Sequence, residues 1–278
     1  MWYWRSRIGG LYDVFSIVTW KALWWQSFTY SGTKNLERQH FMKKIVKRLL
    51  GEELLGVIDY YRFPEDRTSW GGALNGQKHR QFLVEAFLSK LCLDAIVETG
   101  TYRGTTTAYL ATLSLLPIYT VEYNSRYYGF SLAALRRFDN VHLFKGDSCA
   151  FLNGLVSKKS LAGKRVLFYL DAHWGGELPL LQELCIIFSY WDEAVVLIDD
   201  FKVPDDSGFG YDDYGAGNSL ELSYLMSVLE RFQLSVFFPS VSSDEENGEK
   251  RGSVTLANHP AVKDILLSIP ELREYPKA

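Results

Sequence analysis

The sequence predicts a doubly wound α/β domain on a mostly parallel seven-stranded sheet, and three observations carry that reading. Short β-rich runs alternate with helical patterns from about residue 94 onward, the first run ends in a glycine-bearing turn that opens a helix, and the last two runs are joined by a polar loop without helical periodicity. Strict alternation implies right-handed crossovers and a parallel sheet covered on both faces. The final pair suits an antiparallel hairpin at the sheet edge.

Taken in order, the first segment is rich in tryptophan (Trp2, Trp4, Trp20, Trp24, Trp25), and Asn35 to Leu50 sets Leu36, Phe41, Ile45 and Leu49 opposite Lys43, Lys44 and Lys47. This spacing predicts an amphipathic helix. Residues 1–75 are therefore expected to form an N-terminal helical cap, over a ligand pocket or at a homodimer contact, and residues 76–278 the main domain. The stretch EDRTSWGGALNGQKHR is rich in turn formers and leads into a helical pattern from Gln81 to Cys92. Strands are expected at Asp94 to Glu98, Ile118 to Glu122, Val141 to Lys145, Val166 to Asp171, Ala194 to Asp199, Leu234 to Phe238 and Ser253 to Ala257. Helices fill the first four gaps, near Thr105 to Leu115, Arg126 to Phe138, Asp147 to Ser157 and Leu178 to Tyr190. The Gly, Asp and Tyr of FKVPDDSGFGYDDYGAGNS exclude a regular element there, and a loop of that length is expected to act as a lid.

Composition excludes some partners. With 47% hydrophobic and 23% charged residues the chain is ordinary globular protein, and a net charge of -3 provides no field to gather nucleic acid. Cys92, Cys149 and Cys185 are scattered in apolar stretches, as expected of reduced thiols in the cytoplasm. Arg5, Arg7, Asp13 and Lys21 interrupt the N-terminal aromatics, so neither a transmembrane helix nor a signal peptide is expected.

In an open α/β sheet ligands bind beyond the carboxyl ends of the strands, which directs attention to AIVETGTYRGTTTAYL. Gly100 and Gly104 let the backbone approach a ligand, and the helix that follows offers its amide end. Glu98 would repel a pyrophosphate and favour an ammonium or sulfonium. Glu122, closing the second strand, can accept both hydroxyls of a ribose, and Asp147 with Ser148 in FKGDS is placed to meet an adenine edge. The glycines do not follow the G-x-G-x-x-G spacing of dinucleotide sites.

VETGTYRG, TVEY, KGDS and LDAH, in this order, resemble the successive motifs of class I S-adenosylmethionine-dependent methyltransferases. The resemblance implies a Rossmann-like fold with Glu98, Gly100, Thr101 and Gly104 around the methionine portion, Glu122 at the ribose, and Asp147 and Ser148 at the adenine. Asp171 borders the same site.

On the other half of the sheet Asp171 ends the fourth strand, and Asp199 and Asp200 end the fifth. Three converging carboxylates call for a cation or a positively charged group between them, and oxygen ligands suit Mg²⁺. The arrangement is similar to metal-dependent O-methyltransferases of the catechol and macrocin types, although LDAHW lacks the second acid of the macrocin pattern. The resemblance implies O-methylation of a hydroxylated small molecule. His173 is expected to be either the base or a hydrogen-bonding partner of a carboxylate, and Lys202 is the second candidate base. Two other readings remain open from the residues: a non-catalytic methyltransferase-like domain in a biosynthetic or polysaccharide assembly, and a nicotinamide-dependent oxidoreductase.

Overall fold

The computed structural model describes residues 50–159, 161–173, 178–215 and 217–276. The aromatic N-terminal segment, the helix expected over residues 35–49 and the homodimer contact lie outside the described residues. Residues 50–278 form one compact unit.

Residues 50–62 are helical (α1) and are followed by two 3-10 turns, Pro64–Gly71 and Ala73–Gly76. The alternating domain then runs α2 (Lys78–Lys90), β1 (Ala95–Thr99), α3 (Thr105–Leu113), β2 (Ile118–Glu122), α4 (Ser125–Leu135), β3 (Val141–Lys145), α5 (Ser148–Lys158), β4 (Val166–Leu170), α6 (Leu180–Tyr190) and β5 (Ala194–Asp199). It closes with α7 (Leu222–Phe232), β6 (Ser235–Pro239), β7 (Ser253–Ala257), α8 (Pro260–Leu267) and β8 (Leu272–Glu274).

The sheet order is β3-β2-β1-β4-β5-β7-β6-β8. Strands β1 to β5 are parallel, while β7 runs antiparallel to both β5 and β6. All seven expected strands are present. An eighth, three residues long and paired with β6, extends the edge. The expected hairpin also differs in one respect: β7 inserts between β5 and β6, so that it sits inside the sheet. Helices α7 and α8 fall outside the expected elements; the first follows the long loop directly, and the second is a short helix with proline in its first turn.

Alternation along the strands fills two cores. Ala95, Val97, Phe168 and Val196 pack on one face with Leu152, Leu184, Ile187 and Leu225 from α5, α6 and α7. Ile96, Leu167, Val195 and Leu197 pack on the other with Leu83, Phe87, Leu110 and Val262 from α2, α3 and α8. Each of the larger side chains contributes about 1.5–3 kcal/mol of burial, which is why central strands read as continuous apolar runs.

Helix α1 is fixed to α4 by two glycines. A Cβ on Gly56 would overlap the carbonyl oxygen of Arg126, and one on Gly129 would overlap that of Glu53. At the same crossing Arg126 Nε donates to Asp59 Oδ2 at 2.6 Å.

Candidate active site

The carboxyl ends of β1 to β5 bring the sequence-predicted residues other than Lys202 to one edge of the sheet, in two neighbouring groups. The first group surrounds the glycine turn. Gly100 has φ +87°, and a Cβ there would overlap the carbonyl oxygen of Asp171. The amide of Asp171 in turn donates to Thr99 O at 2.9 Å. Gly104, with φ +77°, caps α3 and packs against Leu135. Only glycine combines these angles with these approaches at no steric cost.

Glu122 spans the turn. Its Oε2 accepts from the Tyr102 amide at 2.6 Å and its Oε1 from the Asn124 amide at 2.7 Å. The amide of Tyr123 also acts on this carboxylate, which has acceptor capacity left for a further donor such as a ribose hydroxyl. Burial raises its pKa, and the backbone amides oppose that rise. Glu98 lies beneath the turn, where its Oε2 accepts from Thr107 and, at 2.6 Å, from Thr120. Burial pushes its pKa up to about 7 by disfavouring the charged form, against the hydrogen bonds of the two threonines. Thr101 is likewise internal, with its hydroxyl 2.5 Å from that of Thr120. Asp147 is exposed and caps α5 by accepting from Ala150 N at 2.8 Å, and the buried Ser148 follows it.

The second group is the acidic corner, and the structure separates the two aspartates that end β5. Asp199 is 1% exposed and fully engaged: Oδ1 accepts from Arg80 Nη1 and the Asp200 amide, Oδ2 from the Tyr169 hydroxyl and Asn75 Nδ2. Asp200, with φ +53°, faces Arg251 instead, whose Nε donates to Asp200 Oδ1 at 2.6 Å. Arg251 Nη2 also holds Asp212, which shares the hydroxyl of Tyr214 with the carbonyl oxygen of His173, both at 2.7 Å.

His173 is 2% exposed, its Nε2 has no hydrogen-bond partner, and that nitrogen lies 3.9 Å from Asp171 Oδ1. Burial lowers its pKa, which keeps the imidazole neutral. Burial and the charges of Asp199 and Asp200 raise the pKa of Asp171 well above the usual carboxylate range. Ligand-capable atoms of Asp171, His173 and Asp200 lie within 4.8 Å of one another, and this is the only such cluster among the described residues. Lys202 is drawn elsewhere. Its Nζ binds Glu221 Oε2 at 2.7 Å, and that carboxylate raises its pKa and holds it protonated, a poor state for a base.

Two arginines thus supply much of the counter-charge that the converging carboxylates demand. Arg80 had a legible signal: it shares the buried face of α2 with Leu83, Val84 and Phe87 at helical spacing, which is no place for an unpaired guanidinium. Arg251 had none, because it reaches Asp200 only through the antiparallel pairing of Asp199 with Ser253. The long loop after β5 is anchored by buried Phe201, Val203 and Phe209 and by the bond from Gly210 N to Lys250 O at 2.9 Å, so it forms a wall of the corner.

No family model and no curated protein matches the sequence. Among solved structures, the chain is similar to the O-methyltransferase TomG from Streptomyces achromogenes in complex with S-adenosylmethionine, at 16% identity over 65% of this chain and 80% of that one, TM-score 0.46. It is also similar to the O-methyltransferase from Bacillus cereus in complex with S-adenosylhomocysteine, at 13% identity over 72% and 89%, TM-score 0.49. A precorrin-6y C5,15-methyltransferase from Geobacter metallireducens shares 18% identity over 63% and 83%, TM-score 0.37. These likenesses carry no activity across to this chain, whose functional reading rests on its own geometry.

Proposed function

We propose that this chain is a class I S-adenosylmethionine-dependent methyltransferase that methylates a hydroxyl oxygen of a small acceptor, such as a sugar or secondary metabolite. The observation that carries the reading is the contact of Gly100 with the main chain of Asp171. It makes the turn suited to the cofactor and the carboxylate corner a single continuous site, with the methyl donor beside the acceptor. The position of β7 between β5 and β6 favours this reading over a nicotinamide enzyme, whose sheet runs 3-2-1-4-5-6.

In this reading Glu122 accepts the ribose hydroxyls, Asp147 and Ser148 border the adenine, and the turn from Gly100 to Gly104 admits the methionine portion. A lone pair of the acceptor oxygen forms the new O–C bond as the S–C bond breaks, and the bonding electrons return to sulfur as a neutral thioether. The acceptor's proton leaves to the corner, where Asp171 is the carboxylate most open to the pocket, its side chain 33% exposed. Most of the acceleration is assigned to holding oxygen and methyl in line. A divalent ion at this corner would draw in the acceptor oxygen and lower its pKa. Asp171 and Asp200 fit such an ion, and the expected third ligand, Asp199, is committed to Arg80.

The three cysteines are free, which fits a reducing compartment such as the cytoplasm, and no described helix is long and apolar enough to cross a membrane. Calorimetry with S-adenosylhomocysteine tests the assignment: the intact chain is expected to bind it, and Glu122→Ala to weaken it by about tenfold or more, the loss of a hydrogen bond to a charged group. Failure of the intact chain to bind ends the reading. Binding without labelled methyl transfer to any of a panel of hydroxylated acceptors would instead favour a non-catalytic domain.

A further inference from the structure

The acidic corner departs from an all-carboxylate ion site in two linked ways. Asp199 has both oxygens filled by Arg80, Tyr169, Asn75 and the Asp200 amide, so it has no free direction toward an ion. His173, two residues past the end of β4, places a buried imidazole nitrogen with no partner in the same corner. An orphaned buried nitrogen beside two carboxylates carries a desolvation cost that nothing in the protein repays.

The ion pairs point the same way. Among the described residues Arg80 pairs with Asp199 and Arg251 with Asp200 and Asp212, and no arginine or lysine pairs with Asp171. Distance is compatible too. Ligands of one octahedral ion with bonds near 2.1 Å stand about 3 Å apart when adjacent and about 4.2 Å when opposite. Donors already within 4.8 Å of one another reach this spacing with small side-chain rotations. Arg251 occupies one oxygen of Asp200 and leaves the other for the ion.

We infer that Asp171, His173 and Asp200 form a divalent-metal site in which the imidazole replaces Asp199, making it a site for a transition ion of the Mn²⁺, Fe²⁺ or Co²⁺ class in preference to Mg²⁺. This inference rests on the acceptor-corner reading above but not on the cofactor assignment. Imidazole nitrogen binds first-row transition ions well and Mg²⁺ poorly, because Mg²⁺ prefers oxygen and keeps its waters.

The test uses the full chain and Mn²⁺ alone as the probe. Loss of the free aqueous Mn²⁺ electron paramagnetic resonance signal on titration measures binding, and pulsed resonance detects a coordinated ¹⁴N. One bound Mn²⁺ with nitrogen coupling is expected. His173→Ala should weaken binding by about tenfold or more. His173→Gln, which substitutes an oxygen donor of similar size, should abolish the nitrogen coupling and reduce the Mn²⁺ over Mg²⁺ preference while thermal melting shows the fold intact. If Mn²⁺ does not bind, binds without nitrogen coupling, or binds equally well to His173→Ala, the inference is overturned. S-adenosylhomocysteine calorimetry on the same metal-free protein reports separately on the cofactor assignment, so either can fail alone.

Discussion

Glu183 shows how a single buried group can set a response of the whole chain. It sits in the first turn of α6 at 0% exposure, with neither oxygen hydrogen-bonded, and burial pushes its pKa up to about 7 despite the nearby hydroxyls of Ser148 and Thr99. A carboxyl whose folded pKa exceeds the ordinary 4.5 binds more protons folded than unfolded, so stability falls as pH rises from about 4.5 to about 7 and then levels off. The shift corresponds to roughly 3 kcal/mol for the fully ionised state. Glu183→Gln is expected to remove that share of the slope, which urea unfolding at pH 5 and pH 8 would show as a smaller difference between the two conditions. Arg80 is the opposite case, a buried cation already paired. Arg80→Leu leaves Asp199 charged, buried and short of its partner, and should cost about 3–5 kcal/mol in urea unfolding at pH 7. A loss under about 1 kcal/mol would mean that Tyr169, Asn75 and the Asp200 amide suffice for Asp199.

Between elements, the crossing of α1 and α4 depends on the absence of two side chains. Gly56→Ala or Gly129→Ala must push the helices apart, because in each case the obstacle is a backbone carbonyl that cannot rotate away. A loss of about 1–3 kcal/mol is expected, the ordinary range for overpacking, read from thermal or denaturant unfolding. Neither glycine has positive φ, and both would pass as neutral helix positions in a sequence pattern. The placement of β7 matters more for chemistry. It draws the loop before it across the end of β5, so that Arg251 bridges Asp200 and Asp212 from 51 and 39 residues away in sequence. Arg251→Met should therefore disturb the acceptor corner while sparing S-adenosylhomocysteine affinity, because β5 and β4 separate β7 from the glycine turn at the end of β1, and Glu122 on β2 is further still. Equal losses in both assays would show that Arg251 supports the whole edge.

At the scale of the molecule, cofactor binding and stability are linked. S-adenosylhomocysteine at about a hundred times its dissociation constant should add about 2.7 kcal/mol, or roughly 5–10 °C in Tm for a domain of this size. The shift should shrink in Glu122→Ala at the same ligand concentration. The sequence by itself determined the alternating strands and helices, the glycine turn, and which acids end which strands, because these follow from local periodicity and from glycine's freedom at positive φ. Only the tertiary structure decided how those acids are used. Asp199 and Asp200 are neighbours in sequence with the same chemistry, yet one is committed to Arg80 and the other faces His173 and Arg251. That division depends on which strand lies beside β5 and which face of α2 meets the sheet, and both are set by burial between segments far apart in the chain.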